Sequence, residues 1–307
     1  MPHDWNWIGN NFAAMISHSS RLALSPEVLF LRCGVIALLL LLGHEDSGML
    51  HASQASLAGP AAQVWLVESP LTHAHSHNDY LRKRPLWDAL QAGFGSLEID
   101  VYAHKQQLVV SHLPRGLNHK PNLESLYLEP LWKHIQVNGG RVFAEDTSAL
   151  TLMIDFKTSG AQTLDLLVGM LQAYPDLFLP ASGLPPPVRV VISGSRPDPA
   201  LLTGLPFPLK LDGRLEHLGS EHKAIYPWVS ASWQSHFGRK RLDQLSREER
   251  TRLEDWCIKA RESGQQLRFW ATPEDPNLWE DLLAIGVYRI NTDRPVRFKA
   301  FWDNRIR

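Results

Sequence analysis

The chain of 307 residues is 44% hydrophobic and carries eleven tryptophans, enough apolar mass for a large core and too much for a disordered chain. Its formal net charge of −1 excludes the overall positive excess with which proteins hold nucleic acid. The two cysteines, Cys33 and Cys257, exclude a CxxC metal site and are not expected to form a structural disulfide, so any metal has to be held by His, Asp and Glu.

The first recognisable element is an apolar run at 33–43, preceded by Arg21 and Arg32 and followed by small residues around Ser53, Ala55 and Ala58. That order of basic, apolar and small residues matches a secretory signal, and the run is well short of the ~20 residues of a spanning helix. Residues 1–58 are therefore expected to be a signal peptide or an N-terminal membrane anchor with a linker. The rest of the chain would then be exported, periplasmic or secreted, or held at a membrane surface.

From residue 70 short β-type runs alternate with helical patterns, the signature of βα units around a parallel sheet. Strands are expected at 70–74, 96–102 with a return at 107–111, 150–156, 187–193, 208–212, 226–230, 266–270 and 287–291. Eight strands suffice to close a TIM-like (β/α)8 barrel, and residues 65–307 are expected to form one such domain. Pro85 and Gly93 bracket a helix. Ser246 and Glu249 are spaced as a capping box for a second helix that Gly264 ends. In such barrels the chemistry sits at the C-terminal ends of the strands.

Four segments carry residues suited to chemistry at those ends. Glu98 and Asp100, two apart in SLEIDVY, share one face of a strand. Two neighbouring carboxylates repel unless a cation lies between them, and oxygen ligands suit Mg²⁺ or Ca²⁺. Asp155 and Lys157 end LTLMIDFK in the same phase, as a third ligand and a cation for phosphate oxygens, or as a structural ion pair. His73, His75 and His77 alternate in THAHSHNDY and share a face if extended, offering imidazoles for proton transfer. His112 follows the return strand LVVSH, so a hairpin would bring a second imidazole over the carboxylates. Tryptophans 228, 233 and 279 are expected in the core, and Trp270, leaving its strand, at the pocket wall. Gly194 and Arg196 fit either a phosphate contact or a plain turn.

Taken together, AHSHNDY, PLWDAL, SLEIDV, LVVSH, SLYLEPL, IDFKT, DGR and the ending FWATPEDPNLWEDLLAIGVYRINTD resemble the PLC-like phosphodiesterase superfamily, and within it the altered inheritance of mitochondria protein 6 family. The resemblance implies a TIM barrel with one divalent cation, Mg²⁺ or Ca²⁺, held by Glu98, Asp100 and Asp155. It also implies paired-histidine cleavage of a phosphodiester by His75 and His112, with Lys157 as a phosphate contact, Asn78 touching the phosphate and Trp270 walling the pocket. The HRG and PEN words of glycerophosphodiester phosphodiesterases are absent. HSHND stands in place of the first, which leaves both His75 and His77 as the first catalytic histidine. The expected substrate is a small-molecule or lipid phosphodiester, with no nucleic acid and no protein partner.

Two other readings remain open at this level. The HxH pattern also resembles zinc amidohydrolases and PHP phosphoesterases, whose metal site His217, His222, His236 and Asp293 would complete. An envelope protein that binds phosphorylated headgroups without turnover would use the same basic and acidic mouth.

Overall fold

The strand pattern closes on itself. In the computed structural model, which describes residues 69–181 and 183–305, the strands are β1 Ala74–Ser76, β2 Ser96–His104, β3 Gln107–Val110, β4 Leu150–Phe156, β5 Val188–Gly194, β6 Lys210–Gly213, β7 Trp228–Ser232, β8 Gln266–Trp270 and β9 Arg289–Thr292. β1 pairs in parallel with both β2 and β9, and the remaining neighbours around the ring are parallel too, so eight strands form a closed barrel. β3 folds back antiparallel on β2 and supplies the expected return. The apolar run at 33–43, with the signal or anchor expected over 1–58, lies outside the described residues.

The helices are α1 Trp87–Gln91, α2 Glu129–Val137, α3 Gly160–Leu171, α4 Pro175–Phe178, α5 Trp233–Phe237, α6 Arg247–Ser263, α7 Pro276–Ile285 and α8 Pro295–Arg305. At α6 the Ser246 hydroxyl accepts from the Glu249 N–H and the Glu249 carboxylate accepts from the Ser246 N–H, and Gly264 ends the helix in the left-handed region. That is the reciprocal cap its sequence encodes. β1 begins later than the apolar run at 70–74, because Leu71 makes only a single bridge to Phe94 before pairing starts. The links after β5 and β6 contain 3₁₀ turns, Pro199–Leu202 and Leu215–His217, in place of full helices.

Alternation along β2 explains how the barrel separates its two faces. Leu97, Ile99 and Val101 turn outward into the main core, while Ser96, Glu98 and Asp100 turn into the lumen. Trp233 and Trp279 join that outer core as expected. Trp228 is buried too, packed with Met153 and Val191 in a separate small core cluster. Met153 pairs with Glu98 and Asp155 with Asp100, so the apolar cluster lies level with Glu98 and one inward step below Asp100 and Asp155.

Candidate active site

β2 and β4 bring three carboxylates together: oxygens of Glu98, Asp100 and Asp155 lie within 4.8 Å of one another. Lys157 Nζ stands 2.8 Å from Asp155 Oδ1 and 3.2 Å from Asp100 Oδ2. The hairpin return places His112 Nδ1 2.9 Å from Asp100 Oδ2, and the Tyr80 hydroxyl donates to the same oxygen at 2.8 Å. Asp100 Oδ2 is therefore contacted by three groups, whereas Oδ1 is buried with no hydrogen-bond partner. A buried carboxylate oxygen left bare is costly. Burial pushes the Asp155 carboxyl above its ordinary range, and Glu98 and Asp100 add to the rise against the pull of Lys157. A bare oxygen and surplus negative charge among three hard donors fit a divalent cation of the Mg²⁺ or Ca²⁺ type.

His75 on β1 faces the lumen and is fully buried. Its Nδ1 is 2.6 Å from Ser96 Oγ and its Nε2 is 3.4 Å from Glu98 Oε2. Burial, reinforced by the Arg268 guanidinium, holds this imidazole down at about 3, so it is neutral at ordinary pH. His77 Nε2 lies 3.8 Å from Glu98 Oε2, and its Nδ1 lies 2.9 Å from Asp293 Oδ1. Burial pulls His77 down, but Asp293 and Glu98 outweigh it and raise its pKa above the ordinary histidine value. His73 does not share their site: it precedes β1, its Nδ1 meets the Tyr288 carbonyl oxygen at 2.6 Å, and its ring lies against Tyr288 and Trp302.

Asn78 adopts a left-handed conformation, and its Oδ1 lies 2.9 Å from the Tyr80 hydroxyl oxygen, which places it beside the Asp100–His112 corner. Trp270 ends β8 and stands 42% exposed. Arg196 turns aside, donating to the Asp212 carbonyl oxygen at 2.6 Å. The histidines that a zinc site would need are dispersed among the described residues. His217 stacks on Tyr226, His222 packs edge-on beside them, and His236 lies against Trp256. Asp293 is engaged by His77 and Arg82.

Three residues of the site do not stand out in the sequence. Tyr80 links Asn78, Asp100 and His112, and its phenol is pushed far up by burial and by Asp100. Ser96 holds His75. Arg268, its side chain 3% exposed, reaches Glu98 Oε2 at 3.1 Å and Asn291 Oδ1 at 2.7 Å. Burial alone would raise the Glu98 carboxyl, yet Arg268 and His75 more than offset it and hold it well below the carboxylate range. The one sequence signal for Arg268 is a lone cation in the inward phase of LRFW.

Gly194 has a structural reason of its own. Its φ is +69°, and a Cβ there would stand 2.5 Å from both Asp155 Oδ1 and the Phe156 carbonyl oxygen. Gly194→Ala should lower stability by about 1–3 kcal/mol in urea unfolding and displace the Asp155 carboxylate. A variant as stable as wild type would remove the steric argument.

Residues 67–197 match the AIM6-like phosphodiesterase domain. The altered inheritance of mitochondria protein 6 homolog of Arthroderma benhamiae is 31% identical over 251 residues, spanning 71% of this chain and 80% of that protein. Altered inheritance of mitochondria protein 6 of Eremothecium gossypii is 31% identical over 264 residues, 73% of this chain and 67% of that one. Among solved structures, a glycerophosphodiester phosphodiesterase from Parabacteroides distasonis superposes with a TM-score of 0.51 at 16% identity, covering 78% of this chain and all of that one, a likeness of fold. Identity sustained over most of a curated relative's length, together with a barrel of this architecture, places the chain in the altered inheritance of mitochondria protein 6 family.

Proposed function

We propose that the chain is a divalent-cation-dependent phosphoric diester hydrolase that uses His75 and His112 as its proton-transfer pair. The observation that carries this reading is the convergence of a three-carboxylate cluster with one buried and one exposed imidazole at a single barrel mouth. Glu98, Asp100 and Asp155 would hold the cation, which when bound neutralises charge on the phosphate oxygens. Lys157, fixed between Asp100 and Asp155, adds a positive charge beside the same oxygens. His75 is kept unprotonated by burial and Arg268, the form a proton acceptor requires, and Ser96 fixes its ring. Asp100 holds His112 through Nδ1, which leaves Nε2 to deliver a proton to the departing alkoxide. His77, braced by Asp293, supports Glu98 from the solvent side.

The reading is tested on a panel running from bis-p-nitrophenyl phosphate to glycerophosphodiesters and lysophospholipids, each with Mg²⁺, Ca²⁺, Zn²⁺ or EDTA. Turnover is expected with Mg²⁺ or Ca²⁺ and is expected to vanish in EDTA. Full activity in excess chelator would remove the cation from the scheme. Silence across the panel in a folded, metal-binding protein would favour a phosphate-headgroup binder.

A further inference from the structure

Beside His112 lies a cavity of about 360 Å³ that the proton-transfer scheme does not use. Its apolar wall is Leu81, Val110, Leu113, Pro121 and Leu126. Tyr80 and His112 belong to the same wall, so the cavity is continuous with the corner where the leaving oxygen would take its proton. Leu81 is 63% exposed and Leu113 48% exposed. One exposed leucine is unremarkable in a soluble protein, but two on the wall of one cavity make an apolar patch at the mouth of the site. Ser111 and the exposed Arg115 and Lys120 complete the lining. A volume of this size is in the range of small-molecule sites, which pair apolar walls with a few placed polar groups.

Resting on the hydrolase reading, we infer that this groove receives an apolar chain carried by the leaving alcohol of the substrate, so that the preferred diester has an alkyl or acyl substituent on the His112 side. A bare glycerol or an amino alcohol would leave the exposed apolar surface of Leu81, Leu113 and Pro121 in water. A chain covers it while its phosphate stays at Lys157 and the carboxylate cluster. The basic pair suits the anionic phosphates among which such a chain is found.

The probe is a series of monoalkyl phosphates from methyl to octyl, kept below aggregation, titrated calorimetrically into the protein in excess Mg²⁺ or Ca²⁺. The same series is used as inhibitors of bis-p-nitrophenyl phosphate turnover. Affinity should rise about two- to four-fold per added methylene until the groove is filled. Leu113→Asp and Leu81→Asp, at exposed positions that do not threaten folding, should flatten that slope, while Val296→Asp, remote on α8 and 77% exposed, should keep it. A flat wild-type series, or an unchanged slope in Leu113→Asp, overturns the inference. So does a flat series accompanied by sedimentation with phosphatidylcholine vesicles, which would assign the leucines to a membrane surface. Turnover with a flat slope sinks the groove alone; a rising slope without turnover leaves the groove standing and sinks the hydrolase reading.

Discussion

His112→Ala should lower kcat/KM for phosphodiester hydrolysis by about 10²- to 10⁴-fold, the range for removing a general acid or base, with little change in thermal stability. The stability part follows from its position: the side chain is 57% exposed, and its one close ion-pair partner, Asp100 Oδ2, keeps Lys157 and Tyr80. His75→Ala should lose activity on the same scale but also destabilise, because it opens a buried cavity beside Trp228 and removes the partner of Ser96. His77→Ala should cost less in kcat/KM, since its ring is engaged by Asp293 and stands farther from Glu98. A leaving group with a low pKa, such as p-nitrophenolate, needs no proton. The His112→Ala defect should therefore shrink on bis-p-nitrophenyl phosphate relative to an alkyl diester, whereas the His75→Ala defect should not. Equal losses on both substrates would show that His112 does not act on the leaving oxygen.

The contrast between these histidines also separates what is legible in the amino-acid sequence from what is not. Alternation alone puts Glu98 and Asp100 on one face, and the short return after β2 is enough to bring His112 back to Asp100. Phase and loop length are local properties, which is why a sequence displays them. The same alternation misplaces His73, because its strand phase begins only at Ala74, where pairing with β9 starts. Trp228 is buried in the core as expected, but in a small cluster of its own with Met153 and Val191, and nothing in a five-residue strand distinguishes the inside of a barrel from its outside. Tyr80 and Arg268 escape a sequence reading for another reason. Each becomes meaningful only through partners far away in sequence, Asp100 and His112 for the tyrosine, Glu98 and Asn291 for the arginine.

Arg268 supports the prediction with the largest stability effect. Its guanidinium is buried among Glu98, Asn291 and Ser230, with Asp212 Oδ2 3.9 Å away. Asp212 is already served by Ser193, Ser230 and Arg214, so Glu98 is the carboxylate that depends most on Arg268. Arg268→Met in EDTA should lose about 3–5 kcal/mol, the cost of leaving a buried charge without its partner. Arg268→Lys should recover only part, because an ammonium keeps the charge but not the fork that spans Glu98, Asn291 and Ser230. Cation binding should then narrow the gap. A metal at Glu98, Asp100 and Asp155 returns positive charge to the carboxylate that Arg268 neutralised, so the variant should bind it more tightly than wild type and gain more stability from the same free cation concentration. The Arg268→Met deficit should therefore be smaller in saturating Mg²⁺ or Ca²⁺ than in EDTA, as read from urea midpoints. Pairing the change with Glu98→Gln separates charge from packing: if neutralisation of Glu98 is what Arg268 supplies, the double variant should be clearly more stable than the sum of the single losses allows. Strict additivity would mean instead that Arg268 stabilises the barrel through Asn291 and Ser230, leaving the acidic cluster to be balanced by Lys157 and the cation alone.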